Sequence, residues 1–245
     1  MWFPGLWRIA AWRVNRLWAR RQQEAAVRLA SRFVQLRPRD PNAAWLLGNV
    51  LFQSGENAKA ESALRAASES HPDSPELALL LADVLRSEGK NEEAIDTLIR
   101  QRRRTPRSAI PIQGLISLAK HQGAWNKVLS LAKEAEALIA SDDFAGRYEL
   151  GARLIDVPTT RFLAERLLRE ASVGLSRHGM CNVLLAVLLE ASDHEEAAKH
   201  MTLARRHWRG PTPIDEFADQ VRESLAHPRR SEPPANQLGV PESRN

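Results

Sequence analysis

Residues 41–72 read PNAAWLLGNVLFQSGENAKAESALRAASESHP. In the first half, Ala44, Leu47, Gly48 and Leu51 recur at the three- and four-residue steps that align them on one helix face. Ser54-Gly55 then breaks that helix, since glycine takes the left-handed conformation at a helix end without strain. A second stripe follows, Ala60, Ala63, Leu64 and Ala67, and Pro72 stops it. Gly48 and Ala60 are small where two antiparallel helices would approach most closely. One such hairpin cannot bury its apolar face, but a stack of copies can.

Copies are present. Pro38, Pro72 and Pro106 are spaced by 34 residues, as are Gly55, Gly89 and Gly123. The columns Ala26, Ala60, Ala94 and Leu47, Leu81, Leu115 keep the same interval. Four residue types holding one period identify a repeat array. Ala44, Leu47, Gly48, Leu51, Ala60, Leu64 and Pro72 occupy the slots of the tetratricopeptide repeat (TPR), which this stretch resembles. Aliphatic residues stand in its aromatic slots, and Trp45 falls one place after the expected tryptophan.

The next unit carries Ala78, Leu81, Ala82, Leu85, Gly89, Ala94, Leu98 and Pro106; the third keeps Leu115, Gly123, Val128 and Ala135 without a closing proline. Two degenerate units follow, around Leu150-Gly151 to Ala171 and Leu185-Ala186 to Ala204. Thr212-Pro213 opens a terminal capping helix with the stripe Ile214, Phe217, Val221 and Leu225. The resemblance therefore implies an all-α, right-handed α-α solenoid of about five hairpins over residues 22–211. A cap over 212–226 and a disordered tail over 227–245 complete it.

The opening MWFPGLWRIAAWRVNRLWARR holds four of the seven tryptophans. The chain's net charge is +5, and Arg8, Arg13, Arg16, Arg20 and Arg21, with no acid among residues 1–21, account for all of it. The remainder is balanced, so overall basicity is no argument for nucleic acid. On a helix, Phe3, Leu6, Trp7, Ala10, Ala11, Val14, Leu17 and Trp18 share one arc, and no glycine or proline interrupts residues 6–37. Two main readings compete, beside a targeting peptide, against which the absence of serine counts. One is an amphipathic helix lying in an anionic membrane interface, with Trp2, Phe3, Leu6, Trp7, Arg8, Arg13, Val14, Arg16, Leu17 and Trp18 at the lipid. The other is a solenoid cap or dimer contact. No stretch reaches the roughly 20 apolar residues of a spanning helix. The single cysteine suits a reducing compartment, so a cytoplasmic protein, free or membrane-attached, is expected.

No catalytic constellation, cofactor motif or metal motif is expected. His194 and His200 stand six apart, not the four of a zinc-protease helix, and Cys181 sits among apolar residues. The expectation is a non-enzymatic adaptor for a protein or peptide partner, its oligomeric state left open. The family resemblance implies a concave groove lined by first helices. In this chain that lining is Asn42, Trp45, Asn49 and Phe52, then Glu76, Leu79, Asp83 and Arg86, then Gln113, Ser117, Lys120 and Tyr148. Asn49 occupies the slot where peptide-binding members hold ligand backbone. The alternative function is nucleic-acid binding through the basic runs Arg100–Arg107 and Arg205–Arg209. Both runs also close second helices, where cations offset the helix dipole.

Overall fold

The computed structural model describes residues 6–210 and 212–226. Among these, all regular structure is helical, and the chain divides into two compact units at Leu118 and Ala119. The N-terminal unit comprises α1 (Leu6–Ala19), α2 (Gln23–Leu36), α3 (Pro41–Gln53), α4 (Asn57–Ser70), α5 (Pro75–Ser87), α6 (Asn91–Arg104) and most of α7 (Ile110–His121). The C-terminal unit holds α8 (Trp125–Leu138), α9 (Phe144–Leu154), α10 (Arg161–Gly174), α11 (Gly179–Leu189), α12 (His194–His207) and α13 (Ile214–Ala226). A single 3-10 turn, Pro158–Thr160, precedes α10.

Each boundary has a local cause. Asp40 accepts a hydrogen bond from the Asn42 N–H at 3.0 Å and Pro41 opens α3. Asp143 and Asp193 cap α9 and α12 in the same way, each at 2.9 Å. The periodic glycines act as expected: Gly55, Gly89 and Gly123 have φ of 77°, 78° and 68°. The alanine column is the tightest part of the core, with Ala26, Ala60, Ala94 and then Val128 fully buried. Helices pack on their sequence neighbours, α3 on α4, α4 on α5 and α5 on α6, the packing of a helical-repeat array. In the C-terminal unit α13 lies against α11, burying Ala218 and Val221, and Phe217 meets Trp208 at 5.2 Å. That is the expected capping helix.

The N-terminus departs from expectation. Although no glycine or proline interrupts residues 6–37, they do not form one helix: the chain breaks at Arg20–Gln22, where Arg21 takes φ 58°. Arg21 lies 34 residues before Gly55. It fills the glycine column with a non-glycine residue, so α1 and α2 form an additional hairpin ahead of the expected five. Val14 on α1 is 1% exposed and joins Ala26, Ala30, Leu46 and Val50 in one core cluster. Ala10, Ala11, Leu17 and Trp18 pack against it. The expected disordered tail lies outside the described residues.

Candidate functional site

In the N-terminal unit the first helices α1, α3 and α5 place their starts together. A pocket of about 310 Å³ forms there, lined by Trp7 of α1, Pro41, Asn42 and Trp45 of α3, and Ser74 and Glu76 at the start of α5. Its walls are mainly apolar, with the Asn42 amide and the Glu76 carboxylate as polar groups. Asn42 donates its Nδ2 to Asp40 at 3.1 Å, and Ser74 donates its hydroxyl to Glu76 at 3.1 Å. The rim is therefore held in place by its own hydrogen bonds. Trp45 packs by one side on the core cluster around Leu51 and Leu64, which orients the ring that lines the pocket. Such a concave, largely apolar space with few fixed polar groups is the usual form of a side-chain anchor site.

The other expected lining residues divide into two groups. Phe52 and Leu79 are half-buried against the same core cluster. Asn49 accepts a hydrogen bond from Gln53 at 3.4 Å, and Asp83 pairs with Arg86 at 3.6 Å on α5. Gln113 is 6% exposed, which leaves it almost no surface for a ligand. Ser117 bonds back to the Gln113 carbonyl at 3.3 Å. In the C-terminal unit, Lys120 donates to the Arg153 carbonyl at 2.6 Å and to Asp156, tying down the turn after α9. Tyr148 meets His178 edge-on at 4.6 Å, and burial pushes its hydroxyl up to about 12. Sequence reasoning missed Trp7 as a pocket wall. The 34-residue register aligns it with Pro41 and was the available signal.

The lipid-facing assignment of α1 needs correction. Val14, Leu17 and Trp18 face α2 and α3 rather than solvent. The outward residues are Ile9 and Trp12, 56% and 59% exposed, with the Arg16 guanidinium 5.3 Å from the Trp12 ring. Arg13 is exposed too. Trp2, Phe3 and the side chains of Leu6 and Arg8 lie outside the described residues. No described helix is long and apolar enough to cross a membrane.

Cys181 is buried, and burial pushes its thiol up to about 12, so it is no thiolate nucleophile at neutral pH. Arg102, Arg103 and Arg104 occupy the last turn of α6 as expected. Arg205 is paired with Asp215 at 3.0 Å.

A tetratricopeptide-repeat family model matches residues 17–78 and 51–119. Solved structures share the fold. Pseudomonas aeruginosa pilF is 17% identical, with a TM-score of 0.53 over 78% of this chain and 90% of that one. Yeast Tom70 is 18% identical, with a TM-score of 0.63 over 85% of this chain and 45% of its own. In the APC/C hetero-tetramer Cut9–Hcn1 the corresponding values are 15%, 0.56, 84% and 40%. The chain thus spans less than half the length of the latter two. No curated protein matches it by sequence.

Proposed function

From the tetratricopeptide-repeat match over residues 17–119, we propose that the chain is a non-catalytic scaffold holding a partner polypeptide on the first helices of its N-terminal unit. The aromatic pocket carries the reading. Its roughly 310 Å³ accommodates one large side chain between Trp7 and Trp45, and tryptophan walls of this kind supply much of the binding energy at protein interfaces. Asn42 and Glu76 flank the opening, positioned to select the polar groups beside that anchor. Asn49 and Phe52 extend the surface along α3. The Trp45 ring is already packed, so binding costs little of its rotational freedom.

The test is a peptide display screen against the full chain, followed by titration of the selected peptides. Trp7→Ala with Trp45→Ala should weaken them at least about tenfold, the scale of one anchor residue. Unchanged affinities would move the binding surface elsewhere.

A second reading rests on the outward face of α1. Trp12 and Ile9 stand exposed beside Arg13 and Arg16, a composition that suits the surface of an anionic membrane. Each arginine near such a surface contributes on the order of 1 kcal/mol. The protein would then present its groove at a membrane face. Flotation with phosphatidylserine vesicles should be lost in Trp12→Ala with Arg13→Gln and Arg16→Gln; full flotation of that variant would remove the reading.

A further inference from the structure

A second cavity, of about 440 Å³, opens between α4, α5 and α6 and shares no lining residue with the aromatic pocket. Two of its polar atoms, Ser68 Oγ and Gln101 Nε2, are buried without a hydrogen-bond partner. Gln101 is only 7% exposed. Buried polar groups are almost always satisfied, so two unpartnered groups on residues of one cavity lining are unusual. Arg100, Gln101 and Arg104 occupy a single face of α6, one turn apart.

The charges around the cavity favour an anion. Arg65 also lines it but is already committed to Glu61 and Glu93. Arg100 gives its Nε to the Asp96 carbonyl at 3.3 Å, and neither Arg100 nor Arg104 is paired with a carboxylate among the described residues. The single acid of the lining, Glu69, is exposed. Two guanidinium groups therefore share this lining with one carboxylate, and an amide donor and a hydroxyl on the same lining lack partners.

We propose that this cavity binds a phosphate group, as inorganic phosphate or as a phosphate monoester. Arg100 and Arg104 provide forked N–H donors matched to phosphate oxygens, and the unpartnered Gln101 amide and Ser68 hydroxyl become further donors once their side chains turn toward the bound group. Of the arginine run at the end of α6, Arg100 and Arg104 line the cavity and Arg103 and Arg107 do not.

The experiment titrates the full chain with inorganic phosphate, and separately with O-phosphoserine, at constant ionic strength. Side-chain amide resonances of Gln101 and the backbone resonance of Ser68 are followed by NMR. Saturable shifts of both are expected. Arg100→Gln with Arg104→Gln should weaken binding at least about tenfold, while the charge-matched Arg103→Gln with Arg107→Gln should leave it within about twofold. Equal affinity for the two probes identifies free phosphate as the ligand; tighter O-phosphoserine binding identifies a phosphorylated side chain. Absence of saturable shifts, or equal losses in the two double variants, would overturn the proposal and leave a water-filled cavity beside helix-capping arginines.

Discussion

Leu64 on α4 occupies the space that a side chain on Gly48 of α3 would need. A Cβ at Gly48 would stand 2.5 Å from Leu64 Cδ2 and 2.7 Å from its Cγ. Leu64 is fully buried, so it cannot swing aside without disturbing the core around Leu85 and Leu98. One repeat later the same slot holds Ala82, but two repeats later it holds Ile116, so the requirement for a small residue belongs to this α3–α4 contact and not to the whole column. Gly48→Ala should lower stability by about 1 kcal/mol. Overpacking costs about 1–3 kcal/mol and the better helix propensity of alanine returns about 1. Urea unfolding measures it; a gain in stability would mean that the α3–α4 contact has slack.

Arg21 stands where the later repeats use glycine, at φ 58°. A left-handed backbone costs a residue with a Cβ roughly 1–2 kcal/mol, and glycine's greater freedom in the unfolded chain takes back part of that. Arg21→Gly should therefore raise stability by about 0.5–1 kcal/mol, read as a higher thermal midpoint. A lower midpoint would show that the guanidinium makes a stabilising contact of greater worth.

These two positions show what was legible beforehand. Gly55, Ala60 and their 34-residue echoes carry a geometric requirement in the residue type itself, so fold class and repeat boundaries are legible in them. Arg21 meets the same requirement by strain, and strain leaves no compositional mark. The break between α1 and α2 is therefore invisible in a stretch without glycine or proline, and periodicity alone leaves Val14 and Trp18 on a face that suits lipid as well as a neighbouring helix. Helical periodicity finds which residues share a face, not what covers that face. The site followed the same rule: Trp45 and Asn42 came from slot matching, whereas Trp7 needed the extra hairpin. The unpaired Ser68 and Gln101 donors had no sequence signature at all.

Opposite sides of α1 should respond differently to truncation. Val14→Ala removes two methyl groups from a buried cluster, a loss of about 2 kcal/mol with the cavity left behind. Trp12→Ala removes a far larger side chain from an exposed position and should change stability by no more than about 0.5 kcal/mol. Chemical denaturation of the two variants checks the order. If Trp12→Ala were the more damaging, α1 would not pack through Val14.

Glu61 binds Lys90 and Arg65, while Arg65 also reaches Glu93, so α4 is pinned to α6 and to the turn before it. Those hydrogen bonds, first Lys90 and then Arg65, hold the Glu61 carboxyl down at about 2 against a usual 4.5. A carboxyl depressed in the folded state favours folding above its unfolded value, so this contribution is complete above 4.5 and disappears as pH falls toward 2. Glu61→Gln should cost about 1 kcal/mol at neutral pH, after screening of the partly exposed cations. The gap between variant and parent should then close on acidification, as followed by urea midpoints at several pH values. A gap independent of pH would assign the loss to packing.

The C-terminal unit should carry a second acid-sensitive element, with a different window. Asn182 on α11 is fully buried and donates its Nδ2 to the carbonyls of Ser176 and His178, both at 3.0 Å. Its Oδ1 then faces His200 Nδ1 of α12 at 2.8 Å, which requires the proton on Nδ1 of the neutral ring. Burial lowers the His200 pKa below 6.5; Glu196, 3.8 Å from Nε2, opposes the shift, and Arg169 adds to it. Since the folded state disfavours the charged ring, the contribution is intact above 6.5 and is lost as pH falls below that value toward the folded pKa. Stability should therefore decline as pH falls below 6.5, and His200→Gln should remove that part of the slope while lowering the plateau. Asn182→Ala should cost more, about 1–3 kcal/mol, because it removes all three hydrogen bonds of a fully buried side chain that ties α12 to the start of α11. The two variants together separate charge from hydrogen bonding: a slope that survives His200→Gln would have to originate in another histidine, and the Asn182–His200 contact would then be structural at every pH.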